Sequence, residues 1–231
     1  MIMSVLHLAA ILLLSYLAGS IPTSVIVGKL FFGTDIRTKG SGNAGGTNAF
    51  RVFGWKAGTV VVVVDIAKGA IATLFISRIP EFANPDAALL TPDALAISAG
   101  CAAVLGHVWT IFGRFHGGKG VAAAAGMVLA LYPLALASAV ALFALVAIST
   151  GIISVASLSA AICFPFIVLL FAGTGIVQVT PLEFWFTIPL ALLIVFTHRK
   201  NIRRLLHGEE NRFQNLMVLK RLFSRSRPHG N

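Results

Sequence analysis

Acid is what this chain lacks most: eight Asp and Glu stand against eighteen Lys and Arg in 231 residues. The resulting +10 turns its polar parts toward anions, with phosphates and lipid headgroups first among them, and no nucleic-acid partner is expected. Charge of either sign is also scarce. At 11% charged residues, 57% hydrophobic residues and a mean hydropathy of +0.90, one water-soluble core could not hide the apolar surface. A polytopic membrane protein of the all-α class follows. The two cysteines, Cys101 and Cys163, lie in apolar runs with no His or Cys at ligand spacing. They read as small packing residues, which excludes zinc and redox chemistry, and neither metal nor cofactor is expected. The first basic residue is Lys29, so the opening apolar run lacks the basic region of a signal peptide and reads as a retained first span.

Apolar stretches able to cross about 30 Å of hydrocarbon run roughly over 4–28, 53–77 and 94–112. From Val121 to Thr197 Glu183 is the one acid, and turn chemistry must supply the breaks: Tyr132-Pro133, Ser149 to Gly151, and Gly173 to Pro181. Four spans fit this stretch; two long spans kinked at Pro133 and Pro165 are the alternative. Sixteen of the eighteen basic residues fall in three places. These are the segment from Lys29 to Lys56, the one with Arg114 and Lys119, and the tail from Arg199 to Arg227. The positive-inside bias puts all three in the cytoplasm and the acidic loop from Arg78 to Asp93 outside. The N-terminus is then outside, the C-terminus cytoplasmic, and the total seven spans, or five with the kinked pair. Seven is preferred. The expected organisation is a single integral-membrane domain over 1–231, with a basic cytoplasmic tail from about 198.

The polar chemistry sits in these three segments. In "GSGNAGGTN", Gly40, Gly42, Gly45 and Gly46 allow backbone amides to turn toward a ligand, Ser41, Asn43, Thr47 and Asn48 add short donors, and Arg51 adds a fork for two oxygens. An anion cradle fits this pattern better than an ordinary interfacial turn. The second segment, "GRFHGGKGVAAAAG", approaches a nucleotide P-loop at Gly113, Gly118 and Lys119 but has Gly120 where a metal-binding Ser or Thr belongs. Glycine amides and a lysine at the start of an Ala-rich helix remain, an arrangement that favours phosphate. In "HRKNIRRLLHGEENR", His198, Asn201 and Leu205 share a helical face. The arginines suit anionic lipid, whereas His198, Asn201, Glu210 and Arg212 read as functional. His107 is a titratable group beside the second segment. Asp65 and Lys68, at i and i+3 in an apolar span, read first as an internal packing lock and second as part of a site.

Three motifs, "GSGNAGGTNAFR", "GHVWTIFGRFHGGKGVA" and "HRKNIRRLLHGEENR", resemble in order and spacing those of the PlsY family, bacterial integral-membrane acyltransferases that use acyl phosphate. The resemblance covers essentially the whole chain. It implies a seven-span cell-membrane enzyme with a cytoplasmic active site, catalysing the first step of phospholipid synthesis. The enzyme acylates the 1-hydroxyl of sn-glycerol 3-phosphate to lysophosphatidic acid and releases phosphate. Ser41, Asn43, Thr47, Asn48 and Arg51 fall on the first motif; Gly106, His107, Gly117, Gly118, Lys119 and Gly120 on the second, the one used for glycerol 3-phosphate; His198, Asn201, Gly208, Glu210 and Arg212 on the third. Thr110, His116 and Ala123 depart from it. On this reading Arg51 and Lys119 hold phosphate charge, and Ser41 or a glycine amide meets the developing oxyanion. The proton goes to His198 or to a phosphate oxygen of the donor, the latter preferred. Glycerol 3-phosphate, acyl phosphate and membrane lipids are the expected partners; the pattern sets no oligomeric state. No His has an Asp five positions on, which disfavours the thioester-using peripheral acyltransferases. An anion transporter is the second reading; its helix breaks would be expected near the bilayer midplane and its halves repeated.

Overall fold

The computed structural model describes residues 2–79 and 89–213. Glu81 and Asp86 of the expected outer loop and the last four basic residues of the tail lie outside the described residues. Eleven α-helices and no strand occur among the described residues. They divide between two compact units, Met1–Pro133 with Pro181–Phe186, and Leu134–Thr180 with Thr187–Asn231.

The first unit holds α1 (Ile2–Gly19), α2 (Thr23–Phe32), α3 (Gly46–Phe53), α4 (Trp55–Leu74), α5 (Pro92–Val108), α6 (Val121–Leu131) and the short α9 (Pro181–Trp185). Glycines bring its helices together almost backbone to backbone. On the α1–α5 pair, a Cβ at Gly19 would overlap the Ala103 carbonyl, and one at Gly106 the Tyr16 carbonyl. On the α4–α6 pair, Gly69 meets Ala123 and Gly126 meets Ile66 in the same way. Small residues of this kind let apolar helices gain dispersion contact where lipid offers no hydrophobic drive. Beneath the first glycine segment, Val25, Val27, Ile36, Ala44, Ala49, Ala57 and Val61 form a buried cluster. Phe53 packs on it and stacks on Phe32 with ring centroids 4.4 Å apart.

Pro22 separates α1 from α2, and a break inside apolar surroundings must have its freed backbone groups satisfied. Neighbouring side chains do this. Lys68 Nζ donates to the Ile21 carbonyl at 2.8 Å and the Thr110 hydroxyl donates to the Ser20 carbonyl; Ser20 Oγ in turn donates to the Gly106 carbonyl of α5 at 3.3 Å. Thr91 caps α5 by accepting from the Ala94 amide at 3.3 Å, with Pro92 at the first helical position.

The second unit holds most of α7 (Pro133–Thr150), α8 (Ile153–Gly173), α10 (Thr187–Thr197) and α11 (Arg199–Leu206). Phe164 and Val168 of α8 are buried, as are Leu190 and Ile194 of α10. Of the turn signals in the uncharged stretch, Tyr132, Gly151 and the run after Gly173 all separate helices, and α8 continues through Pro165. Two long kinked spans are therefore not what this stretch forms.

By length and composition, five helical segments among the described residues can cross a membrane, or six when the pair bent by 57° at His198 counts as one. Of the expected seven, five or six are matched by length and composition; α6 has only 11 residues and spans about 16 Å. Gly120 starts it in the left-handed region (φ 86°) and Pro133 begins the next helix.

Candidate active site

The first glycine segment is a loop wound around one side chain. Asn48, 1% exposed, accepts the Ser41 amide on Oδ1 at 2.9 Å. Its Nδ2 donates to the carbonyls of Ile36, Lys39 and Asn43 at 3.2, 3.0 and 3.0 Å. Expected as a substrate contact, Asn48 is thus occupied with folding the loop. Gly40 and Gly42 take left-handed conformations (φ 58° and 72°), and a Cβ on Gly40 would overlap Asn48 Oδ1. Both glycines serve the turn. The Ser41 amide is spent on Asn48, and the residue is half-buried. Gly45 caps α3, Thr47 is exposed on its first turn, and Arg51 is half-buried in its last.

Arg37 ties this loop to the second segment. Its guanidinium donates to Asp35 through Nε at 3.0 Å and Nη2 at 2.7 Å, and through Nη1 to the Gly113 carbonyl at 2.9 Å. The Arg37 hydrogen bonds, outweighing partial desolvation, pull the Asp35 carboxyl down to about 2. The turn that Arg37 grips carries two consecutive non-glycine residues in the left-handed region, Arg114 (φ 57°) and Phe115 (φ 60°). Such backbone is sparsely populated and persists only where its surroundings hold it.

Beyond that turn the expectation of a glycine amide cradle needs correction. The Gly117 amide donates to the Val108 carbonyl at 3.1 Å and the Gly118 amide to the His107 carbonyl at 3.0 Å. Both satisfy the end of α5 and do not turn to a ligand. Their lack of a Cβ matters for a different reason: one on Gly117 would overlap the His107 carbonyl, and one on Gly118 the His107 ring at Nε2. Close docking of the segment on α5 is what the glycines permit. It delivers half-buried Lys119 and then Gly120 to the start of α6, where the first helical amides have no intrahelical acceptor and favour an anion.

His107 itself is buried, at 6% exposure. Its Nδ1 lies 3.7 Å from Asp65 Oδ1, and Asp65 is paired with Lys68 at 2.8 Å and accepts from the Thr23 hydroxyl at 2.9 Å. Asp65 and Lys68 thus form an ion pair inside the span at the i, i+3 spacing.

In the second unit, His198 is 2% exposed at the junction of α10 and α11. Its Nδ1 lies 2.7 Å from the Ile194 carbonyl. A carbonyl can only accept, so in the neutral ring the proton is on Nδ1 and the lone pair on Nε2, the tautomer a base requires. Gly208, with φ 72°, ends α11 and turns the chain back. Glu210 then accepts from Ser154 Oγ at 3.0 Å, Asn201 Nδ2 at 2.6 Å and Arg204 Nε at 2.7 Å. Burial would raise the Glu210 carboxyl, but these three donors together hold it below its usual range. The Phe213 amide donates to the Gly151 carbonyl at 2.8 Å, a second anchor for the same segment. Arg212 is exposed. The buried Oδ1 of Asn201 has no protein partner among the described residues. Of the residues expected to touch substrate, Glu210 is thus fully engaged by protein donors, while Asn201 keeps an open acceptor.

The profile of the glycerol-3-phosphate acyltransferase family matches residues 9–208. The chain belongs to that family. It is 45% identical over 224 residues to the glycerol-3-phosphate acyltransferase of Chlorobaculum tepidum, covering 88% of this chain and 95% of the relative. With that of Chlorobium phaeobacteroides it shares 46% identity over 230 residues, 89% of this chain and 96% of the relative. Its fold is similar to the crystal structure of PlsY, an integral membrane glycerol 3-phosphate acyltransferase, in the glycerol 3-phosphate form. The TM-score is 0.76 at 33% identity, over 92% of this chain and 98% of that one. The lysophosphatidic acid form of PlsY gives 0.74 at 32% identity, with the same coverage. The protein is therefore a bacterial integral-membrane acyltransferase of glycerol 3-phosphate, and a role in phospholipid biosynthesis follows from the family.

The residues that sequence reasoning passed over are the supports. Asp35-x-Arg37 had a local signal, an Asp accepting the amide two residues on at 3.0 Å, a pattern short polar side chains favour. Ser154 and Thr23 carried none, because their partners lie 56 and 42 positions away in the chain.

Proposed function

We propose that this acyltransferase takes its acyl group from acyl phosphate and delivers it to the 1-hydroxyl of sn-glycerol 3-phosphate at the cytoplasmic face of the cell membrane. The observation that carries the reading is the Arg37 clasp. It makes the two glycine segments, one bearing Arg51 and the other Lys119, parts of one unit. Two cation-bearing segments fixed together suit a reaction in which both substrates carry phosphate.

In the proposed step the substrate hydroxyl oxygen forms a bond to the acyl carbonyl carbon, and the bond from that carbon to the phosphate oxygen breaks. The hydroxyl proton passes to a phosphate oxygen of the donor, so phosphate leaves as the protonated ion and lysophosphatidic acid remains. His198, in the tautomer set by Ile194, is the alternative acceptor. Lys119 and Arg51 neutralise phosphate charge and Ser41 donates to the developing oxyanion; positioning and charge stabilisation supply most of the rate. Gly40, Gly42, Gly45 and Gly120 shape the segments, and Asn43, Thr47, Asn201 and Arg212 supply further polar contacts.

The proposed topology has seven crossings, counting the five long segments, α6 as a short one, and α10 with its bent extension. With the N-terminus outside, such a topology would have all three motifs on the side where the positive-inside bias gathers basic residues. The test is lysophosphatidic acid formation by detergent-solubilised protein. Lys119→Ala and Arg51→Ala should each lower kcat/KM by a hundredfold or more, roughly the loss of one charged hydrogen-bonding contact in a site of this kind. Near-wild-type rates in both variants would refute the assignment.

A further inference from the structure

An ion pair inside an apolar span needs a reason, because the desolvation penalty is several kcal/mol per ion. Closing the helix break at Pro22 accounts for part of the Asp65–Lys68 pair: Lys68 satisfies the Ile21 carbonyl at 2.8 Å and Thr23 reaches Asp65 at 2.9 Å. It does not account for His107. That ring lies with Nδ1 facing Asp65 at 3.7 Å and Nε2 so close to Gly118 that no Cβ could stand there. It is wedged between the carboxylate and the residue preceding Lys119. The same helix, α4, fixes the other side of that lysine, since Gly69 packs on the Ala123 carbonyl and Gly126 on that of Ile66. A charged group in α4 thus faces one edge of the ring, and the opposite edge abuts the turn from Gly117 to Lys119.

We propose that Asp65, balanced by Lys68, is a positioning residue for the glycerol 3-phosphate half of the reaction: it fixes the His107 ring and through it the turn that presents Lys119. The inference rests on Lys119 being a phosphate-holding residue. Nothing in it requires Asp65 to touch substrate. Lys68 keeps the carboxylate from standing as a lone buried charge, so the pair's electrostatic cost and its positioning role can be separated by mutation.

The experiment compares wild type, Asp65→Asn and the double variant Asp65→Asn/Lys68→Met, measuring KM for glycerol 3-phosphate and for palmitoyl phosphate, and the thermal midpoint in detergent. Asp65→Asn keeps the shape and loses the charge that orients the ring. KM for glycerol 3-phosphate should rise about tenfold or more, as expected of a misplaced binding group, with KM for palmitoyl phosphate within twofold of wild type. The double variant leaves no buried charge, so its thermal midpoint should return to near that of wild type while the raised KM for glycerol 3-phosphate persists. A purely structural lock would give a lower kcat with both KM values unchanged, or both raised alike, and either overturns the proposal. So does a double variant with wild-type KM. If Asp65→Asn fails to fold, the double variant alone decides. Wild type that forms no product with glycerol 3-phosphate would sink the functional reading and this inference with it, whereas active wild type with unaffected variants sinks this inference only.

Discussion

Asn48→Asp tests how much of the first motif is scaffolding. The change is isosteric and keeps an acceptor for the Ser41 amide, but a carboxylate cannot donate to the carbonyls of Ile36, Lys39 and Asn43. Ile36 is fully buried and its carbonyl keeps the Lys39 amide as a donor at 3.2 Å, so the stranded group is the new carboxylate oxygen, aimed at carbonyls that cannot donate, at about 1–3 kcal/mol. Lys39 is exposed and Asn43 half-buried, and their carbonyls recover water at about 0.5 kcal/mol each. The total, about 3 kcal/mol, is roughly a hundredfold shift toward an opened loop. A loop that is part of the phosphate site would then lose affinity before the membrane helices lose their packing. Proteolysis within residues 38–46 and KM for glycerol 3-phosphate, read alongside the thermal midpoint, make the assay. Cleavage and KM should both rise strongly while the midpoint moves little. A variant with wild-type KM and wild-type protease resistance would refute the view that Asn48 organises the loop.

Three further outcomes follow from the same contacts. Arg37→Gln should release Gly113 and return the Asp35 carboxyl toward 3.8 from about 2. Stability held above pH 3.8 by the depressed carboxyl, and lost in wild type as pH falls toward 2, should be missing from the variant in acid-unfolding curves. Glu210→Gln removes a carboxyl whose folded-state pKa lies below its usual 4.5. Wild type should lose that contribution as pH falls through and below 4.5, and the variant should show a flatter acid limb, measured as thermal midpoint against pH. Gly126→Val drives a side chain into the Ile66 carbonyl, an overpacking expected to cost about 3 kcal/mol or more; a midpoint within a degree or two of wild type would contradict the backbone-to-backbone packing of α4 and α6.

Much of this architecture was legible before any coordinates. In the uncharged stretch the breaks at Tyr132, Gly151 and after Gly173 were readable because turn residues leave marks even where charge does not. The motif positions were readable because Gly, Asn and basic residues are conspicuous against Ala, Val and Leu. What those residues do was less so. Asn48 and Ser41 look alike as short donors, and only the fold shows one sealed under the loop. The Gly117 and Gly118 amides could equally have faced a ligand; their capture by the end of α5 depends on how the chain returns. Asp65 and Lys68 announced a pair by spacing, but not its partners, Thr23 and His107, 42 positions before and after Asp65. The short α6, 11 residues between Gly120 and Pro133, follows the same turn signals.

The central claim is that the acyl donor is a phosphate anhydride and that the leaving group is phosphate. Purified protein should be given palmitoyl phosphate or palmitoyl-CoA, each with and without glycerol 3-phosphate, while phosphate and lysophosphatidic acid are both quantified. The account predicts one phosphate released per lysophosphatidic acid formed, strictly dependent on glycerol 3-phosphate, and no turnover with the thioester. Lysophosphatidic acid formed from palmitoyl-CoA but not from palmitoyl phosphate would contradict it.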